Sequence, residues 1–171
     1  MEELLIKQFK NKLKIAIINH YRILNEKFKD DVFYGYALYT SDDISSIGPV
    51  TNRKRDIVVG TDDEMHNYYK YSPDEWSEWD DFEQFSEVNQ IIKELHSKAI
   101  FTFEQIKEYI LSQSLLTMQE LDKDGFFGVK NDERFLIIWL SDSDDPIMNI
   151  SAKQLNTLKV YEDYSYEFEE N

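Results

Sequence analysis

Apolar residues recur at helical spacing through the start of the chain, at Leu5, Phe9, Leu13, Ala16, Ile17, Leu24 and Phe28. Residues three and four apart share a helix face, so the pattern predicts one long amphipathic helix over residues 3–29. Lys7, Lys10, Lys12, Lys14 and Arg22 fall on or beside its wet face. From residue 32 the period shortens. In Val32-Phe33-Tyr34-Gly35-Tyr36-Ala37-Leu38-Tyr39-Thr40, strict alternation puts Val32, Tyr34, Tyr36 and Leu38 on one face and Phe33, Gly35, Ala37 and Tyr39 on the other. Both faces are largely apolar, which predicts a central strand. Gly35 and Ala37 leave room for a helix to come close. Ser41-Asp42-Asp43 ends this strand, and Ile47 to Thr51 predicts a second that returns as a hairpin, with Pro49 placing it at a sheet edge.

Residues 52–71 carry no firm period. Tyr68-Tyr69-Lys70-Tyr71 reads as a short extended piece. Ser72-Pro73-Asp74-Glu75 has the makings of a helix start: a capping hydroxyl, a proline at the first helical position and a capping-box acid. A restart at Asp80 or Asp81 gives a helix burying Phe82, Phe85, Val88, Ile92, Leu95 and Ala99. Thr102 and Gln105 form a second capping box, opening a helix to about Asp122 with Ile106, Ile110, Leu111, Leu115, Met118 and Leu121 inward and Gly125 as its stop. Phe135 to Leu140 is the clearest buried strand, and Ser141 to Pro146 ends it. Ser151 to Gln154 reads as a capping box for a short helix. The tail from Tyr161 alternates aromatics with acids, as an edge strand or a frayed acidic end. The order predicts an α+β fold in a single domain, residues 1–171: a largely antiparallel sheet of about four to six strands flanked by three long helices.

Composition narrows the classes. At 42% hydrophobic and 15% aromatic residues, the chain can fill a core. The absence of cysteine excludes disulfides, thiolate catalysis and sulfur-based zinc sites. The first residues lack a basic stretch followed by an unbroken apolar run, and no apolar run is long enough for a bilayer, so a soluble cytoplasmic protein is expected. Charge is unevenly spread. Residues 1–60 carry a net +2 and residues 61–171 a net -17, for -15 overall. Such acidity argues against nucleic acid and against anionic membrane as partners, and reads either as plain solubility or as a surface matched to a basic protein.

Motifs for chemistry are missing. There is no Gly-x-Ser-x-Gly elbow and no glycine-rich phosphate loop. Asp122, Asp124 and Gly125 sit as in part of a calcium loop, but the bidentate twelfth ligand would be Asn131. His20, His66 and His96 have no partners at ligand spacing. Asp142, Asp144 and Asp145 follow a buried strand, either as an ordinary acidic turn or as a weak divalent-cation site. No catalytic residue, metal ligand or cofactor is assigned. The most unusual stretch is acidic and carries two tryptophans: residues 62–87 hold ten acids and one base, Lys70. Within it, Trp76 and Trp79 share a helix side. They either anchor that helix to the core or, with Asp74, Glu75, Glu78, Asp80 and Asp81, form a partner-binding surface.

Four segments together resemble the uncharacterised bacterial domain-of-unknown-function family four-three-zero-three. They are Tyr34 to Thr40 with its acidic turn, Ser72 to Trp76, Gly125-Phe126-Phe127-Gly128 before the Phe135–Leu140 strand, and Leu155-Asn156. Thr51-Asn52 stands in the reverse of the order that the resemblance implies there. The resemblance implies no activity. Its bacterial setting suits small acidic proteins that neutralise toxins, as SUKH-type immunity proteins do, which is an analogy. The expectation is a non-enzymatic acidic cytosolic interaction protein, specifically an immunity protein neutralising a basic bacterial toxin. The alternative is a small metal-dependent hydrolase using the acidic strand-end loop.

Overall fold

The structure, a computed structural model, describes residues 2–79, 82–98 and 100–168, the side chains of 2–6 and 82 excepted. Among the described residues there are four strands and six α-helices. The chain runs α1 (Glu2–Lys27), β1 (Phe33–Ser41), β2 (Ile47–Arg53), α2 (His66–Tyr71), β3 (Glu78–Trp79), α3 (Ser86–Ser97), α4 (Phe103–Lys123), β4 (Phe135–Ser141), α5 (Ile147–Leu155) and α6 (Leu158–Phe168). The sheet order is β3-β2-β1-β4. Two pairings are antiparallel, and β1 with β4 is parallel. The α+β class holds, with six helices rather than three.

The sheet separates two cores. On one side α1, α3 and α4 bury Phe9, Leu13, Ile17, Ile92, Ile110 and Met118 against Tyr36, Leu38, Leu136 and Ile138. On the other, α2, α6 and the 72–79 segment bury Tyr71, Trp76, Val160 and Tyr164 against Ala37, Phe135, Ile137 and Trp139. Strand alternation delivers β4 cleanly to both. In β1 it breaks once: a bulge between Phe33 and Gly35 sends Tyr34 to the second face, opposite Tyr36, rather than beside it. Tyr34 then accepts a hydrogen bond from Asn52 Nδ2 at 2.9 Å and donates to the Lys70 carbonyl at 2.9 Å.

Local signals near helix ends fared unevenly. The Thr102–Gln105 capping box forms in both directions. Gly125, at φ 74°, ends α4 with Phe126 N–H on the Leu121 carbonyl and Gly125 N–H on that of Asp122. Pro73–Glu75 makes a single 3-10 turn, with no capping bond from the Ser72 side chain, and the chain leaves it extended at Trp76. Tyr68 to Tyr71 is helical, because Tyr71 must turn inward onto Phe135. Ser151 lies inside α5 rather than at its start. The acidic tail is helix as far as Phe168: Val160, Tyr164 and Phe168 recur four apart and line one face toward the sheet. The readings that fall on Asp80, Asp81, Ala99 and residues 169–171 lie outside the described residues.

β4 is a sheet edge, and α5 closes it. Leu136 N–H donates to Asn156 Oδ1 at 2.8 Å, and Asn156 Nδ2 returns a bond to the Leu136 carbonyl at 2.7 Å. Ile138 N–H donates to Ser151 Oγ at 3.0 Å. Side chains thus stand where a fifth strand would, and edge groups that would otherwise be buried and orphaned are satisfied.

Candidate functional site

β1 and β4 end side by side, at Ser41 and Ser141. The loop after β4 turns through Asp142 at φ 52° and is then knitted to its neighbours. Ser143 Oγ donates to Asp42 Oδ1 at 3.0 Å, and Ile147 N–H, at the first residue of α5, donates to Asp145 Oδ1 at 3.0 Å. Lys107 of α4 reaches both Asp42, at 2.6 Å, and Asp145, at 3.0 Å. Those contacts from Lys107 and Ser143 hold the Asp42 carboxyl below its ordinary range. Asp142 and Asp144 remain exposed, with no hydrogen bond or ion pair of their own among the described residues.

Across from them stands Asp74. Its Oδ1 accepts from Tyr39 O–H at 2.6 Å and its Oδ2 from Trp139 Nε1 at 3.0 Å. The Tyr39 phenol is pushed up to about 12, first by burial and then by its bond to Asp74 and the charges of Asp74 and Asp142. Between these groups opens a cleft of about 650 Å³. Asp74, Asp142, Asp144 and Asp145 supply its charge; Tyr68, Trp139, Tyr164 and Phe168 supply aromatic wall, and no Lys, Arg or His among the described residues lines it. Phe168 stacks on Tyr68 and on Tyr164 and meets Trp139 edge-on, so α6 forms one side.

The tryptophan-acid segment is divided by the fold. Asp74 belongs to the cleft. Glu75 is exposed and accepts a long bond from Tyr68 O–H at 3.4 Å. Trp76, 2% exposed, packs onto Gly35 and serves the protein's own core rather than a surface. Its ring, not a helix, fills the space left by that glycine. Glu78 is bound to Arg53 at 3.1 Å. Trp79 is 46% exposed on β3, edge-on to Tyr39, with Nε1 donating to the Trp76 carbonyl at 2.7 Å. Extended backbone at Trp76 keeps the two tryptophans off any common helix face. Asp80 and Asp81 lie outside the described residues. Sequence reasoning missed Trp139, Tyr164 and Phe168 as cleft walls; the four-residue spacing of Val160, Tyr164 and Phe168 was the available signal.

Other candidates dissolve into structure. Asp122 is paired with Arg134 at 2.6 Å and Lys130 at 3.2 Å, and Glu120 with Lys10, so the partial calcium loop is spent on ion pairs. His20 faces Tyr36 Oη at 3.3 Å; His66 sits 3.4 Å from the Val59 carbonyl and His96 3.0 Å from that of Ile44. Among the described residues no three His, Asp or Glu side chains gather as a metal site. The acidic half also draws on the basic one: Lys12 meets Glu87 and Lys54 meets Glu133, each at 2.5 Å. Part of the acidic half's charge is thus spent on ion pairs, whereas the cleft keeps carboxylates that have none among the described residues.

A family model described as a domain of unknown function, DUF4303, matches residues 13–157, which span the whole sheet and α3 to α5. No curated protein and no solved structure matches the chain. No helix among the described residues is long and apolar enough to cross a membrane.

Proposed function

The chain belongs to the family of domains of unknown function DUF4303, and for this member we propose a binding rather than a catalytic role. It is an acidic cytoplasmic interaction protein that captures a basic protein, with neutralisation of a basic toxin as its biological setting. One observation carries the reading: a cleft that, among the described residues, has three carboxylates free of ion pairs, Asp74, Asp142 and Asp144, aromatic walls and no base. A Lys or Arg head group entering it meets opposite charge beside an aromatic wall. The net charge of -15 speeds the approach of a basic partner and makes capture salt-sensitive. The hydrolase alternative finds no support in the same loop, where Asp145 is already held by Lys107 and by the start of α5.

The test is retention of lysate proteins on the immobilised chain at low and high salt, with Asp142→Asn/Asp144→Asn beside the wild type. A basic protein held at low salt, released at high salt and lost by the variant is the expected result. Co-expression of that protein should then arrest growth without this chain and spare it with the chain present. Retention of no basic protein, or equal retention by the variant, overturns the reading.

A further inference from the structure

A second depression adjoins the cleft. It runs between α4 and α5 with a volume of about 690 Å³, and its apolar lining comes from Leu111, Leu115, Leu116, Ile147 and Ile150. Leu116 and Ile150 are 44% and 42% exposed, so the floor reaches the solvent. Gln119 Nε2 donates to Gln154 Oε1 at 2.6 Å across one part of it. Asp145, Pro146 and Ile150 line both the groove and the acidic cleft, so the two are continuous. Lys107, the one base lining the groove among the described residues, is bound to Asp42 and Asp145. Glu104 and Glu108, one helical turn apart on its rim, are exposed and have no ion pair among the described residues.

From this continuity we infer that the captured element is a basic amphipathic helix of the partner. Its apolar face lies in the α4–α5 groove, and a Lys or Arg beyond the last apolar residue enters the cleft at Asp142 and Asp144. The inference rests on the proposed binding role and adds the shape of the ligand. Apolar side chains on one helix face repeat at i, i+3 and i+4, which suits a groove lying between two helices. Charge selects the sign of the flanks: Glu104 and Glu108 on the groove, Asp142 and Asp144 beyond it. The same charge disfavours a second copy of this chain, whose net charge is also negative.

Two synthetic peptides test it, followed by calorimetry and by amide shifts of the labelled protein. One is a helix of about fifteen residues built from Leu and Lys, with leucines at i, i+3 and i+4. The other keeps every Lys and replaces Leu with Ser. The Leu-Lys peptide should bind about tenfold more tightly, since burying two apolar side chains supplies at least that factor. It should shift amides around Leu116, Ile150, Asp142 and Asp144. Leu116→Gln/Ile150→Gln, at exposed positions the fold tolerates, should remove the tenfold advantage and leave the Ser-Lys peptide unchanged. Equal affinity of the two peptides with α4 and α5 unshifted overturns the helix assignment while the binding role stands, provided the cleft still responds. If neither peptide shifts the cleft, both fall. A dimer of the protein alone, dissolved by Leu116→Gln, also overturns the assignment, because the groove is then filled by a second copy.

Discussion

The indole of Trp76 rests against the bare backbone of Gly35: a β-carbon built at Gly35 would stand 2.6 Å from Trp76 Cη2 and 2.8 Å from Cζ2. Tyr34 and Phe135 meet the same ring edge-on, and Trp76 Nε1 donates to the Lys70 carbonyl at 3.2 Å. The wedge pins the 72–79 segment to the sheet and so sets Asp74, two residues before it, at the cleft. Gly35→Ala should cost about 1–3 kcal/mol by overpacking, and Trp76→Ala about 3–5 kcal/mol by loss of the buried ring. In the Trp76→Ala background Gly35→Ala should be nearly neutral. Urea unfolding of the four proteins checks the coupling; additive effects would sink the wedge account.

Asn156 and Ser151 take the place of a strand beside β4. Asn156→Ala leaves Leu136 N–H and C=O without their partner and should cost about 3 kcal/mol. Asn156→Asp should do no better, since a carboxylate cannot donate to the Leu136 and Ala152 carbonyls that Nδ2 now serves. The freed edge should also raise the tendency to aggregate. Thermal melts with light scattering test both effects; an Asn156→Asp protein as stable as the wild type would contradict this role.

Arg53 gathers acids from three parts of the chain: Asp31 at 3.2 Å, Asp56 at 2.5 Å and Glu78 at 3.1 Å, while its guanidinium lies 4.4 Å from the centre of the Phe28 ring. Its side chain is 11% exposed. Arg53→Lys keeps the charge but loses the planar fork and the stacking, and should cost about 1–2 kcal/mol. Arg53→Ala leaves Asp56 without an ion pair, and leaves Asp31 and Glu78 to Arg55 at 2.8 Å and Lys27 at 3.8 Å, and should cost about 3 kcal/mol. Denaturant midpoints decide; equal effects of the two substitutions would mean that only charge matters there.

Alkaline pH should destabilise the protein through its buried phenols. Burial raises Tyr39 and Tyr109 to about 12, from an ordinary 10.0, and raises Tyr34 and Tyr71 further. A pKa raised by folding means that the folded state holds the proton more tightly. The associated stability is therefore complete below pH 10 and is lost as pH climbs through 12. Unfolding free energies measured across this range should fall steadily, and phenolate absorbance should lag that of a denatured control. Stability unchanged to pH 12 would contradict the burial of these groups.

Calcium, magnesium and manganese at micromolar concentration should leave the melting temperature unchanged, because Lys107 and the α5 amide already occupy Asp145. A rise of several degrees would mark a cation site and return the strand-end loop to catalysis.

Much of the secondary structure was legible from local period. The 3.6-residue repeats of α1, α3 and α4 and the apolar run of β4 announce themselves, because burying one face of a helix or both faces of a strand demands them. The Thr102 capping box and Gly125 were equally local. The same rules misread Ser72 and Ser151. Each has the right neighbours for a cap, but Ser151 is claimed by the edge of β4 and Ser72 by a chain that must leave its turn extended to deliver Trp76 to Gly35.

The sequence by itself determined the α+β class, the central place of β1, the buried β4 and the resemblance that the family match bears out. Only the tertiary structure decided the parallel pairing of β1 with β4, the bulge that turns Tyr34 over, and the division of the tryptophan-acid segment between core and cleft. It alone brought Asp74 to Trp139, 65 positions away. The physical reason is range. Periodicity and capping act over one or two turns of chain, whereas a cleft is made by charges and rings that meet only after distant segments have packed.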